Sequence, residues 1–200
     1  MIPPATDITT KAALRAAAQA HRDAIADAER RRASEAIAER ATSLAALAGA
    51  TVLGAYLPIR SEVDPRPIID WAFARALAVA LPVVTDGNTM VFRRHRSGDV
   101  VVPSRFGTRA PPDAADVVDP DVVVLPMIAF DRAGARLGHG RGFYDRAMAV
   151  LRARERRPVL VGIAFSAQEV ASVPAEPHDV PMDYIVTERE TLHFVHAVKG

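Results

Sequence analysis

The sequence predicts a three-layer α/β/α fold with a central, largely parallel or mixed sheet and a long N-terminal helix. Three observations carry this. Short apolar runs recur along the chain, among them "TVLGAYL", "VVVL" and "PVLVGIAF", each of a length suited to a strand buried on both faces. Helix-period segments alternate with them, as the crossovers of a parallel sheet require. The opening stretch is alanine-rich, laced with charge and periodic. With 200 residues, half of them apolar, the chain is long enough to bury one substantial core, and residues 1–200 are read as one domain.

Thr9 or Thr10 caps the first helix, which runs to about Leu47 with Gly49 as its stop. Leu14, Ala18, His21, Ile25, Ile37, Ala41, Leu44 and Leu47 form the stripe expected to pack on the body. Arg30 to Arg32, Glu35 and Glu39 decorate the solvated remainder. A strand from Thr51 to Leu57 follows, then a helix that begins near Pro65 or Pro67 and reaches about Ala78. "ALPVVTDGNTMVFRRH" reads as two strands joined by an Asp-Gly-Asn turn. The proline- and charge-rich "RFGTRAPPDAADVVDPD" is loop, with Val117 and Val118 near the core. Val122 to Leu125 is the next strand and about Phe143 to Glu155 the next helix; "PVLVGIAF" and "DYIVTE" complete the strands. Ligands of such sheets collect outside the carboxyl ends of the strands, where the Asp131 to Arg146 segment falls.

The 25 basic and 24 acidic side chains nearly cancel, which argues against a general polyanion-binding surface and leaves room for a local basic pocket. The absence of cysteine removes disulfides, thiolate nucleophiles and cysteine metal clusters. The first residues lack the pattern of a signal peptide, and the most apolar run, Val122 to Phe130, is too short to span a bilayer. These features predict a soluble, cytoplasmic protein with no nucleic-acid or membrane partner; a small-molecule substrate and a monomer or weak homo-oligomer are separate expectations that composition does not supply. His21, His95, His178, His193 and His196 offer no tight metal-ligand spacing.

The segment "RLGHGRGFYDR", Arg136 to Arg146, carries the most chemistry. Gly138, Gly140 and Gly142 allow close backbone approach to a ligand, and a helix N-terminus directly after them offers amides to phosphate oxygens. Arg136, Arg141 and Arg146 add charge-assisted donors, and Asp145 is placed to hold a magnesium ion bridging phosphates. Neither GxxxxGK[ST] nor GxGxxG is matched, so on residues alone a phosphate cradle and a structural turn both remain open.

With "KAALR" at Lys11 to Arg15, "YLPIRSEVD" at Tyr56 to Asp64, "VGIAFSAQEV" and "VPMDYIVTE", this loop resembles the 5-formyltetrahydrofolate cyclo-ligase (5,10-methenyltetrahydrofolate synthetase) family. The blocks occur in family order and cover essentially the whole chain. The resemblance implies an enzyme that uses ATP and Mg2+ to close the N5-formyl group of 5-formyltetrahydrofolate onto N10, releasing ADP and phosphate. It implies nucleotide contacts from Lys11 and Arg15, which share a helix face, and from Arg136, Leu137, Gly138, His139, Gly140, Arg141, Gly142, Phe143, Tyr144 and Asp145. Folate contacts fall to Tyr56, Leu57, Glu62, His139, Gly140, Arg141, Gly142 and Phe143, with the Glu62 carboxylate accepting from the pterin N–H groups. Lys11 and Arg141 are the implied catalytic cations, and Asp145 and Asp183 the implied magnesium positions; without the resemblance, Asp183 reads as a strand-capping aspartate.

The chain departs from the family pattern at His139, where arginine or methionine is more frequent, and at Arg141, where lysine or glycine is common. "RFGTRAPP" stands where the family usually has Gly-Ile-x-Glu-Pro. Two other readings keep the loop and change the outcome: a kinase or ligase for another small acid, and a nucleotide- or folate-binding protein without turnover.

Overall fold

The structure, a computed structural model, describes residues 10–85, 89–176 and 179–195. Its helices are α1 (Lys11–Asp23), α2 (Asp27–Thr42), α3 (Ala45–Ala48), α4 (Arg66–Ala74) and α5 (Phe143–Ala153). Seven strands form the main sheet: β1 (Val52–Gly54), β2 (Ala78–Val84), β3 (Met90–His95), β6 (Val122–Pro126), β9 (Val159–Ile163), β10 (Tyr184–Val186) and β11 (Thr191–His193). Two small hairpins lie outside it, β4 (Val102–Pro103) with β5 (Arg109–Ala110), and β7 (Ala129–Phe130) with β8 (Arg136–Leu137).

The sheet order is β11-β10-β9-β6-β1-β2-β3, parallel from β10 to β2, with β3 and β11 antiparallel at the two edges. Alternation along β6 shows why helices cover both faces. Val122 and Val124 pack with Ile37, Ala41, Ile68 and Ala72 of α2 and α4. Val123 and Leu125 pack with Ala147, Met148 and Leu151 of α5. Each fully buried aliphatic side chain stabilises by roughly 1.5–3 kcal/mol before conformational entropy is subtracted. The predicted three-layer fold is therefore the observed one. Among the described residues no helix is long and apolar enough to cross a membrane.

The single long N-terminal helix is corrected to three helices. At about 100° per residue, Ile37 and Ala41 lie about 140° and about 180° round from Leu14, so one straight helix cannot bury them all on one side. The chain breaks at Ala24 to Ala26, where Ala26 is extended, and Asp27 and Glu29 favour the new N-terminus. After the break α2 covers the sheet, whereas α1 docks Leu14 and Ala18 on Ile128, Ala129, Leu137, Val170 and Val173.

Smaller differences have local causes. The α4 helix stops at Ala74, short of Ala78, because Ala76 turns to a φ of 57°. Likewise α5 stops at Ala153, and Glu155 has a φ of 58°. The "RFGTRAPP" stretch holds β5 and a 3-10 turn at Arg105–Gly107 instead of plain loop. Val118 packs against the α5-side core while Val117 is exposed. The expected turn at 86–88, Thr9, His178 and His196 lie outside the described residues.

Candidate active site

The chain runs β1, β2, β3 in one direction across the sheet and then returns to place β6, β9 and β10 on the other side of β1. Between β1 and β6 the order reverses, and ligands of α/β sheets collect beyond the carboxyl ends of the strands at such a point. The segment after β1 carries Tyr56, Leu57 and Glu62; the segment after β6 carries the β7–β8 hairpin and the glycine loop.

Arg60, at a φ of 53°, turns the chain between Leu57 and Glu62, and the next two side chains, Ser61 and Glu62, are buried. Glu62 Oε2 accepts from the Ile59 amide at 3.0 Å. Its Oε1 meets His139 Nε2 at 3.0 Å, so the two segments touch through residues singled out for folate and for the loop. The His139 ring is 39% exposed and the Glu62 side chain 3%, so the histidine caps a buried carboxylate. Tyr56 and Tyr144 complete the surroundings. Burial, then the Glu62 charge, raises both phenols well above their ordinary range, so they remain neutral donors. Tyr56 uses its hydroxyl on Val63 O at 2.6 Å and is buried in the α2-side core with its polar end already satisfied. Leu57 is half-buried against the α2-side core.

Docking of α1 beside β8 brings two cations to the loop. Arg15 Nε donates to Gly138 O at 2.7 Å, and a Cβ at Gly140 would lie 3.1 Å from the Arg15 guanidinium carbon. Lys11 Nζ binds Asp179 at 2.9 Å and Glu176 at 3.2 Å. Burial alone would lower the lysine pKa, but these two carboxylates outweigh it and hold the ammonium above its ordinary value. Gly140 and Gly142 have φ of 83° and 62°, a region closed to most side chains, and α5 starts directly after Gly142. Gly138 faces open space, while Leu137 is buried against α1.

On the outer side of the loop, the Arg141 guanidinium lies 3.9 Å from the centre of the Phe106 ring. The Phe106 ring packs in turn on Phe143 at 5.6 Å. The β4–β5 hairpin thus reaches the loop through Phe106, itself at a φ of 62°. Arg146 donates to Arg141 O at 2.7 Å and lies over Phe143.

Arg136 and Asp145 form an ion pair at 2.7 Å, and both side chains are largely buried. Arg136 Nη1 donates to Val180 O at 2.5 Å, and the Val180 amide donates to Asp145 Oδ1 at 3.1 Å. The first turn of α5 is thereby fastened to β8 and to the segment before β10. Both of these bonds to Asp145 fall on Oδ1.

Asp183 sits in a backbone clasp. Its amide donates to Leu160 O at 3.0 Å and its Oδ2 accepts from the Leu160 amide at 2.7 Å. Asp121 does the same for Val52, donating to its carbonyl and accepting from its amide, each at 2.9 Å. Each aspartate immediately precedes a parallel strand and fastens it to its neighbour. Among the described residues no three or more acidic or histidine side chains converge as a metal site. The two expected magnesium positions are both engaged by protein groups, Asp145 by Arg136 and the Val180 amide and Asp183 by the Leu160 amide.

Sequence reasoning missed Phe106, Ser61 and Arg22. An exposed aromatic in a glycine turn was the available signal for the first. Arg22 continues the helix face of Lys11 and Arg15, yet an arginine in a polar alanine-rich helix reads as surface.

Residues 7–188 match the model of the 5-formyltetrahydrofolate cyclo-ligase family. A 5-formyltetrahydrofolate cyclo-ligase of Mycolicibacterium smegmatis is 31% identical over 192 residues, covering 92% of this chain and 96% of that protein. The Escherichia coli K12 protein of that name is 32% identical over 145 residues, covering 69% and 78%. The structure of Aquifex aeolicus 5,10-methenyltetrahydrofolate synthetase superimposes with a TM-score of 0.79 at 28% identity, over 95% of this chain and 96% of that one. A family model matched over residues 7–188 and a fold matched across nearly the full length have one meaning: the chain belongs to the 5-formyltetrahydrofolate cyclo-ligase family.

Proposed function

We propose that the protein converts 5-formyltetrahydrofolate to 5,10-methenyltetrahydrofolate with consumption of MgATP. The observation that carries this is the His139–Glu62 contact. It joins a glycine loop flanked by Lys11 and Arg15 to a buried carboxylate at the switch point of the sheet, so a phosphate donor and a pterin would meet there.

The amide-like formyl oxygen is a poor leaving group until it is phosphorylated. In the proposed course its lone pair attacks the γ-phosphorus as the bond to ADP breaks; N10 then adds to the formyl carbon, and loss of the N10 proton and of phosphate leaves the methenyl bridge. Formyl carbon and N10 belong to one molecule, so the protein's task is alignment and charge stabilisation. Glu62 receives the pterin N–H donors once His139 has moved aside. Lys11, Arg15, Arg141 and the loop amides meet the charge developing on the phosphoryl oxygens. Asp145 would hold a magnesium ion, which would supply neutralisation of phosphate charge.

The reading is tested by mixing the protein with 5-formyltetrahydrofolate and MgATP and following the near-ultraviolet band of the methenyl product. Growth that requires both ATP and magnesium supports it. MgATP binding without growth of the band redirects the protein to another small acid or to binding alone.

A further inference from the structure

Among the described residues Arg22 is the most deeply buried charged residue, 1% exposed, and no part of the reaction proposed above uses it. Its Nε donates to Ser61 Oγ at 3.0 Å, and Ser61 in turn donates to Asp23. Among the described residues, neither Nη1 nor Nη2 has a hydrogen-bond partner. A buried guanidinium with its two terminal nitrogens unsatisfied is costly, and native interiors rarely carry one without a reason.

Its position supplies the reason. At about 100° per residue, Arg15 and Arg22 fall about 40° and about 20° round the helix from Lys11, with Arg22 about 16 Å further along the axis. One stripe of α1 therefore carries Lys11 and Arg15 at the phosphate loop, and Arg22 at the far end beside Ser61 and Glu62. Burial pulls the Arg22 pKa below its ordinary value, and the Glu62 and Asp23 charges offset part of that, so the guanidinium remains a cation next to Glu62. If Arg22 served only as counter-charge to Glu62, its forked donors would be expected to engage that carboxylate; instead Glu62 Oε1 is taken by His139 and Oε2 by the Ile59 amide.

The pterin edge offers, in order, the 2-amino and N3–H donors and the 4-oxo acceptor. A carboxylate satisfies the first two and leaves the third in need of a donor. Resting on the folate reading above, we propose that Arg22 is a specificity-determining residue that donates Nη1–H and Nη2–H to the 4-oxo oxygen while Glu62 accepts from the neighbouring pterin N–H groups. The His139 ring is the gate: once it leaves Glu62, the carboxylate and the guanidinium behind it form one acceptor-donor row.

The test compares 5-formyltetrahydrofolate with its 4-thioxo analogue, which keeps the N3–H and 2-amino donors but presents a weakly accepting sulfur. Dissociation constants are measured calorimetrically without ATP for wild type, Arg22→Met and Arg22→Lys, after melting curves establish that each is folded. Wild type is expected to prefer the oxo ligand by about 10- to 100-fold, the range of a hydrogen bond to a charged group. Arg22→Met is expected to reduce that preference to near unity without changing MgATP affinity. Arg22→Lys, which keeps the charge beside Glu62 and serves if the Met variant does not fold, is expected to retain a smaller preference. A folded variant of either kind with the wild-type oxo/thioxo ratio overturns the assignment. So does an affinity loss that disappears with tail-less 5-formyltetrahydropteroate, which would place the guanidinium on the glutamyl carboxylates. Wild type that binds no 5-formyltetrahydrofolate and forms no methenyl band sinks the functional reading itself, a result distinct from active wild type with an unaltered ratio in the variants.

Discussion

His139 Nε2 lies 3.0 Å from Glu62 Oε1, across 77 residues of chain and across the switch point of the sheet. The loop that would hold the nucleotide thus rests on the carboxylate that would hold the pterin. Glu62→Gln is expected to raise the KM for 5-formyltetrahydrofolate by about 10- to 100-fold while the KM for MgATP stays within about twofold. His139→Ala removes a competitor for Glu62 and is expected to lower the folate KM by about two- to tenfold. Initial rates over a matrix of both substrates check this pair; a folate KM that rises in His139→Ala would mean the imidazole helps hold the pterin.

Gly140 stands at a φ of 83° with the Arg15 guanidinium against its open face. Gly140→Ala is expected to cost about 1–2 kcal/mol in the loop's backbone and to push Arg15 off Gly138. The KM for MgATP should rise by about tenfold with little change for folate. Melting temperature and steady-state kinetics on one preparation check it.

Removing Arg136 leaves a largely buried Asp145 carboxylate with only the Val180 amide. Arg136→Met is expected to destabilise by about 3 kcal/mol, read as a lower urea midpoint with unchanged slope. A variant that kept its midpoint but lost MgATP binding would instead make Arg136 a direct nucleotide contact.

Asp145 and Asp183 separate in a magnesium titration. Asp145→Asn is expected to raise the magnesium concentration at half-maximal rate by about tenfold, the effect of one lost charged ligand. Asp183→Asn is expected to lower the melting temperature through the Leu160 clasp with no change in magnesium requirement. An Asp183→Asn enzyme with an intact melting point and a raised requirement would bring its carboxylate to the cation.

Acid stability tests the other clasp. Burial opposes ionisation of Asp121, but hydrogen bonds from the Thr51 hydroxyl and amide and the Val52 amide outweigh it, so its pKa in the folded protein is depressed. A depressed carboxyl contributes stability that is full above its unfolded value, near 3.8, and is lost as pH falls through the folded one. Asp121→Asn should therefore melt below wild type at pH 7, and the gap should close as pH drops below about 4. A gap that stays constant from pH 7 to pH 3 would rule out the charge as its source.

Much of the sheet was legible because "VVVL" and "PVLVGIAF" have no polar face, which only an interior strand tolerates. The β7–β8 and β4–β5 hairpins were not, since strands of two residues show no periodicity. The break in the N-terminal helix has no glycine or proline to announce it; it follows from two docking surfaces whose directions the sequence does not state. In the site, the glycines and Glu62 carried their own chemical signature. Their contact through His139 did not, nor did the burial of Arg22, because both depend on which elements become neighbours. Asp183 shows the opposite case: the strand-capping reading, available from local sequence alone, is the geometry observed.

Because β1 and β6 are neighbours in the sheet with the whole of β2 to β5 between them in sequence, no fragment that lacks either strand holds both walls of the proposed site. Its two walls come together only when long-range strand pairing is complete, late in a folding reaction dominated by non-local contacts. Any molecule bridging them is thereby a thermodynamic staple: at a hundred times its dissociation constant it adds about 2.7 kcal/mol to the folded state. Abundance of such a protein in a cell would then track the supply of its own substrates.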